Sequence, residues 1–149
     1  MKTTLTAAGG LALVLAAGVA WAKPPAGSVE GNWLASGGAG TVRIAPCPGQ
    51  TANLCGTFVG LRKPNGPDGR PARDVNNPNP ALKSRPMMGM TFLTGFKPAG
   101  PGRWTGGKIY NPEDGKTYNS KMTLNPNGTL KVEGCVLVLC KAQTWTRAS

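Results

Sequence analysis

The chain has no histidine in its 149 residues, and only six acidic residues stand against 17 lysines and arginines. The first absence removes the commonest general base and the commonest metal ligand together. The second leaves few carboxylates for acid–base work. After the N-terminal segment no apolar run approaches the about 20 residues that a membrane-crossing helix needs. No stretch there places apolar residues at i, i+3, i+4 and i+7 over a useful length either. A helical bundle and an integral membrane protein are therefore not expected.

What is present begins with an address. MKTTLTAAGGLALVLAAGVAWA carries one charge at Lys2, then an apolar run rich in Ala, Leu and Val, and ends Ala20-Trp21-Ala22. Small residues at the first and third places before Lys23 suit a signal peptidase. The apolar part is short and broken by glycine, which argues against a membrane anchor, and no cysteine sits at the cleavage point for lipid attachment. The expectation is a cleaved signal peptide over residues 1–22 and an exported protein, in a bacterial periplasm or secreted. Removing 22 of 149 residues leaves 127, enough for one domain over residues 23–149. Lys2 leaves too, so the net charge falls from +11 to +10.

Four cysteines remain, Cys47, Cys55, Cys135 and Cys140. In an oxidising compartment an even count reads first as disulfides. Cys47 and Cys55 bracket PGQTANL, where Pro48 and Gly49 let the chain turn back. Cys135 and Cys140 are harder to join: five extended residues span about 16 Å, whereas bridged Cα atoms lie within about 7 Å. VLVL would have to turn. Sequential pairing is favoured and crossed pairing stays open. The spacings C-x7-C and C-x4-C do not match the usual zinc sites, so no metal is expected.

Between turn signals the remaining segments alternate. Val42 and Ile44 oppose Thr41 and Arg43. Leu130 and Val132 oppose Thr129, Lys131 and Glu133. Tyr118, Met122 and Leu124 oppose Thr117, Asn119, Lys121 and Thr123. Period two with one wet face means antiparallel strands. NPEDG (111–115) and NPNG (125–128) each set Pro after Asn and end in Gly, as hairpin turns do. They make a meander of Arg103–Tyr110, Lys116–Leu124 and Gly128–Gly134. Further strands are expected near Asn32–Ser36, Ala39–Ala45, Leu54–Arg62, Met88–Phe96 and Lys141–Arg147. An eight-stranded meander hides its edges by closing into a barrel, just wide enough for packed side chains or one small ligand.

Residues suited to chemistry are scarce. Glu113 and Asp114 are adjacent in a turn, so they diverge and cannot flank one bond as a glycosidase pair does. They also lack the spacing of a calcium loop. Ser36, Ser84 and Ser120 lack a Gly-x-Ser-x-Gly setting. No enzyme and no cofactor is expected. Trp104, Tyr110 and Tyr118, with Phe58, Phe92 and Met122, either fill the interior or line a cavity in it.

The chain's ends carry Gly31-Asn32-Trp33 and Gln143-Thr144-Trp145-Thr146-Arg147. This pairing resembles the signature of lipocalins and their calycin relatives, which implies that Trp33 plugs the barrel floor with Arg147 packed across it. Longer phrases sharpen the likeness: GNW, LCGTFVGLRKPNGPDG, DVNNPNPALKSRPMMGM, WTGGKIYNPEDGKTYNSKMTL and QTWTR. In these the chain resembles domain-of-unknown-function family 2147, small exported bacterial proteins, along nearly its whole mature length. The resemblance implies a calycin-like barrel and no particular activity. Many relatives carry a run rich in glycine and leucine where this chain has CVLVLC, which implies a local staple there.

Between the strands lies one long loop rich in Pro, Asn and Arg, residues 63–86. Its core DVNNPNPALKSRP holds three prolines and three asparagines. Pro fixes successive turns and disfavours helix before it. Asp74 and Asn76 are placed to cap turn amides, Arg85 to pair with Asp74, and Ala81–Ser84 to make one helical turn. Two readings follow: a rigid lid, or Asp74, Asn76 and Arg85 facing a ligand at the barrel mouth. Arg62, Lys63, Arg70, Arg73, Lys83 and Arg85 crowd the same region. They either keep the loop solvated or attract an anionic envelope component. Export argues against nucleic acid. The function expected is a small-barrel binding protein for an apolar or amphipathic ligand. The alternative is an envelope interaction protein that uses its basic loop.

Overall fold

Alternation and turn chemistry produce eight strands in sequence order. The computed structural model describes residues 27–37 and 40–149, so the expected signal peptide, residues 1–22, lies outside the described residues. The strands are β1 (Gly31–Leu34), β2 (Gly40–Cys47), β3 (Gln50–Leu61), β4 (Thr91–Pro98), β5 (Arg103–Asn111), β6 (Lys116–Leu124), β7 (Leu130–Val136) and β8 (Leu139–Arg147). Each pairs antiparallel with the next, and β8 returns to β1 through Trp33 opposite Arg147 and Leu34 opposite Thr146. The result is one closed antiparallel barrel, which removes the exposed edges an open meander would leave.

The turns form as their residues require. In NPEDG the Gly115 amide donates to the Asn111 carbonyl (2.8 Å), and Gly115 adopts φ 69°. In NPNG the Gly128 amide donates to the Asn125 carbonyl (3.0 Å). The four cysteines pair sequentially, Cys47 with Cys55 and Cys135 with Cys140. The second bridge closes because β7 and β8 are joined by only two residues, Leu137 and Val138, so Cys135 and Cys140 lie opposite each other in the ladder.

One end of the barrel, here the floor, holds the β2–β3, β4–β5 and β6–β7 turns, the start of β1 and the end of β8. There Trp33, Phe96, Leu130 and Trp145 are fully covered, packed in one core with buried Val42, Ile44, Met122 and Val132. Phe58 stacks on Phe92 with ring centroids 4.0 Å apart. Gly56 and Gly107 leave the space that Leu93 and Phe96 occupy: a Cβ on Gly107 would lie 2.6 Å from the Phe96 ring. Each large side chain taken out of water here contributes about 1.5–3 kcal/mol. The lower interior is filled. On the outer wall Glu133, expected to face solvent, is largely covered between Lys131 (3.2 Å) and Lys121 (3.8 Å), while Ser120 donates to its carbonyl.

Candidate functional site

Three groups of residues stand apart from ordinary packing. The floor closure comes first. Trp33 donates its indole N–H to the Val29 carbonyl at 2.7 Å, and the Arg147 guanidinium lies 4.0 Å from the Trp33 ring centroid. Arg147 also donates to the Glu30 and Ser28 carbonyls, so it ties the strand that closes the barrel to the segment entering it. Burial pulls its pKa below the ordinary arginine value. These two residues are a stopper.

The long β3–β4 loop forms the second group, at the opposite, upper end. Asp74 is fully buried. Its carboxylate accepts from the Tyr110 hydroxyl (2.6 Å), the Asn77 amide (2.8 Å) and Arg85 (2.8 and 2.9 Å). Arg85 lies 5.5 Å from the Tyr110 ring centroid as well. Burial alone raises the Asp74 pKa, but hydrogen bonds led by Tyr110, with Arg85 charge, outweigh it and hold the carboxyl below its usual value. Burial and the same carboxylate push Tyr110 up to about 12.

Asn76 does not cap an amide. Its side chain donates to the Pro112 and Glu113 carbonyls, at 3.0 Å each, and its own carbonyl presses on Gly115 where a Cβ would lie 2.0 Å away. The loop is thereby fastened to the β5–β6 turn. The caps expected of Asp74 and Asn76 fall instead to Asn77, which accepts from the Asn79 amide, and Asn79, which accepts from the Ala81 amide. The helical turn spans Pro80–Leu82. The Asn-x-Asn spacing was the signal for both caps, because asparagine accepts from amides two residues on. Of the six bases, Arg85 is taken up by Asp74, while Arg62, Lys63, Arg70, Arg73 and Lys83 are exposed.

The third group lines the upper wall of β5–β8. Ladder register sets the inward layers. Trp104 opposes Met122, which opposes Val132 and then Gln143; above them come Gly107, Ser120, Gly134 and Lys141. In the top layer Ile109 opposes Tyr118 and Val136 opposes Leu139. Tyr118 donates to Asp114, which raises the tyrosine pKa and lowers that of the carboxyl. Gln143, Lys141 and Leu139 share the face of buried Trp145, yet all three are exposed. The reason is topological. β1 pairs with β8 only at Arg147 and Thr146, so Leu139–Thr144 have a ladder partner on β7 alone among the described residues. An open hollow of about 540 Å³ lies at the rim of this wall, chiefly on its outer face, lined by Lys108, Lys116, Tyr118, Asn119, Val136 and Leu137 among others. A second, of about 400 Å³, lies by Leu34, Thr41, Gly60 and Leu61.

The structure thus brings Asp74, Arg85 and Tyr110 together with Asn76 close by, puts Trp104 inside the lower barrel, and sets Tyr118 apart on the upper wall. The sequence places a last strand near Lys141–Arg147 without assigning its faces, and so does not single out Lys141 and Gln143. Among the described residues no three His, Cys, Asp or Glu gather as a metal set, and no helix is long and apolar enough to cross a membrane.

Comparison with known proteins fits this geometry. Residues 31–147 match the model of the family described as "Uncharacterized protein conserved in bacteria (DUF2147)". The chain belongs to this family. A solved structure similar to this DUF2147 chain is protein HP1028 of Helicobacter pylori, described as belonging to the lipocalin family. The two share 26% identity and a TM-score of 0.69 over 82% of this chain and 84% of the other. No curated protein matches the chain.

Proposed function

We propose that this is an exported binding protein, periplasmic or secreted, that takes one small amphipathic molecule at the upper wall of its barrel. The observation that carries the reading is the exposure of inward-facing Leu139, Lys141 and Gln143 above a filled floor. Ile109, Tyr118, Val136 and Leu139 supply an apolar contact, and Lys141 a positive charge for an anionic head. Likeness to a lipocalin-family structure supports it, since such barrels hold one small ligand. A ligand deep in the barrel is disfavoured because Phe96, Met122, Leu130 and Trp145 occupy that space.

The role is binding and not catalysis. The buried cluster of ionisable groups, Asp74, Arg85 and Tyr110, spends its hydrogen bonds on itself and on loop anchoring. The test is titration of the oxidised, signal-free protein with a fluorescent fatty acid and with a neutral apolar dye. We expect saturable one-to-one binding of the fatty acid, weakened several-fold by Lys141→Glu and by Tyr118→Ala. Absence of saturable binding by both probes would falsify the proposal.

A further inference from the structure

The tip of the β7–β8 hairpin is apolar and exposed. Val136, Leu137, Val138 and Leu139 are 57, 90, 92 and 78% exposed. A contiguous apolar tip of this kind on a soluble protein marks a surface that meets something. The turn chemistry points the same way. Leu137 has φ 53° and is the sole non-glycine residue with positive φ among those described. Glycine at that first central position would satisfy such a two-residue hairpin without steric cost. Here Leu-Val holds the place, and Cys135–Cys140 closes the hairpin directly beneath it. Local structure has been subordinated to keeping two aliphatic side chains at the apex.

Charge names the occupant. The tip leaves the barrel at the same end as the β3–β4 loop, which presents exposed Arg62, Lys63, Arg70, Arg73 and Lys83. Lys108 and Lys116 line the hollow that Val136 and Leu137 also line. The acids at this end are Asp68, Asp74, Glu113 and Asp114. Asp74 is neutralised by Arg85, and Asp114 accepts from the Tyr118 hydroxyl and the Lys116 amide. An apolar peg on an end of the barrel rich in exposed bases fits a bilayer surface bearing anionic headgroups: aliphatic side chains enter the acyl boundary and lysines and arginines meet phosphates.

We infer that the disulfide-stapled hairpin tip Val136–Leu139 docks this protein on an anionic lipid bilayer, with Lys108, Lys116 and the other exposed bases of the same end meeting headgroups. The inference does not rest on the binding of a small ligand, and it survives if that reading fails.

The experiment is flotation of the oxidised, signal-free protein with phosphatidylcholine vesicles, with and without phosphatidylglycerol. We expect binding to the anionic vesicles, weakened by salt. Leu137→Asp with Val138→Asp should lower partitioning about tenfold or more, equivalent to about 1.4 kcal/mol. Circular dichroism and thermal melting check that this variant keeps its fold. Independently, Leu137→Trp should give a blue-shifted emission component that lipids brominated on their chains quench. Absence of binding to anionic vesicles overturns the inference, as does equal binding by the double aspartate variant or an unquenched indole at the tip. Self-association that the same double substitution abolishes, without vesicle binding, overturns it in favour of a contact between two copies.

Discussion

The β3–β4 loop and the β7–β8 hairpin leave the same end of the barrel and are held by opposite means. The loop is long, polar and tied by side-chain hydrogen bonds: Asp74 to Tyr110, Asn77 and Arg85, and Asn76 to the β5–β6 turn. The hairpin tip is short and apolar, has no cover among the described residues, and is closed by one covalent bond. A segment whose polar groups satisfy one another is rigid but has little left to offer a partner. A segment fixed by a staple keeps its side chains free. The residues that look most like chemistry therefore serve architecture, while those that look like core are on the surface.

The sharpest way to break the comparison is Asp74→Ala. It strands the Tyr110 hydroxyl and the Asn77 amide, and it removes the partner of Arg85, whose side chain is 34% exposed and recovers some water. We expect about 2–3 kcal/mol of destabilisation, discounted for that exposure. The urea midpoint reads it, and hydrogen exchange should rise first across 72–87. A change below about 0.5 kcal/mol would show that the loop is held by its prolines alone.

Cutting the staple is the next largest effect. Replacing Cys135 and Cys140 by Ser releases a short loop whose closure is worth about 2 kcal/mol on the chain-entropy account. The tip should then lose order while the loop's exchange protection stays unchanged. If loop protection falls too, the two regions are coupled and not independent.

Much of this architecture could be read in the sequence. Alternation and the NPEDG and NPNG turns located the meander, and β6 spans Lys116–Leu124 as read. Trp33 and Arg147 were identifiable through the resemblance to the lipocalin signature, whose order and spacing they fit. Asp74 with Arg85 could be seen as a pair, but Tyr110 as their third member could not, since 36 residues separate it from Asp74. CVLVLC was the hardest. Sequential cysteine pairing requires VLVL to turn, and nothing local says that its two central residues make that turn or that all four stand exposed. Lys141 and Gln143 were obscured by the same limit: period two separates two faces but does not say which stretch of an inner face lacks a neighbour.

Titration probes the loop more gently. The folded pKa of Asp74 is depressed, so its contribution is present above the unfolded value of about 3.9 and is lost as pH falls through the folded value. Tyr110 is raised to about 12, so its contribution is complete below about 10 and lost as pH rises through 12. Exchange protection of the loop should therefore be flat between about pH 5 and 9 and decline at both extremes. In Tyr110→Phe the alkaline decline should disappear and the acid one persist; an unchanged alkaline limb would assign it to another group.

The smallest expected effect separates stability from use most cleanly. Leu137→Gly removes the steric cost of a branched side chain at φ 53°. Part of that gain is returned as the added backbone entropy of glycine in the unfolded chain. The net should be a stabilisation of about 0.5 kcal/mol, seen as a small rise in urea midpoint. The same substitution deletes the apex side chain, so vesicle binding should fall as stability rises. An ordinary turn would gain stability and lose nothing. Opposite movement of the two measurements is what a tip retained for contact predicts, and parallel movement would mean that Leu137 is there for the fold.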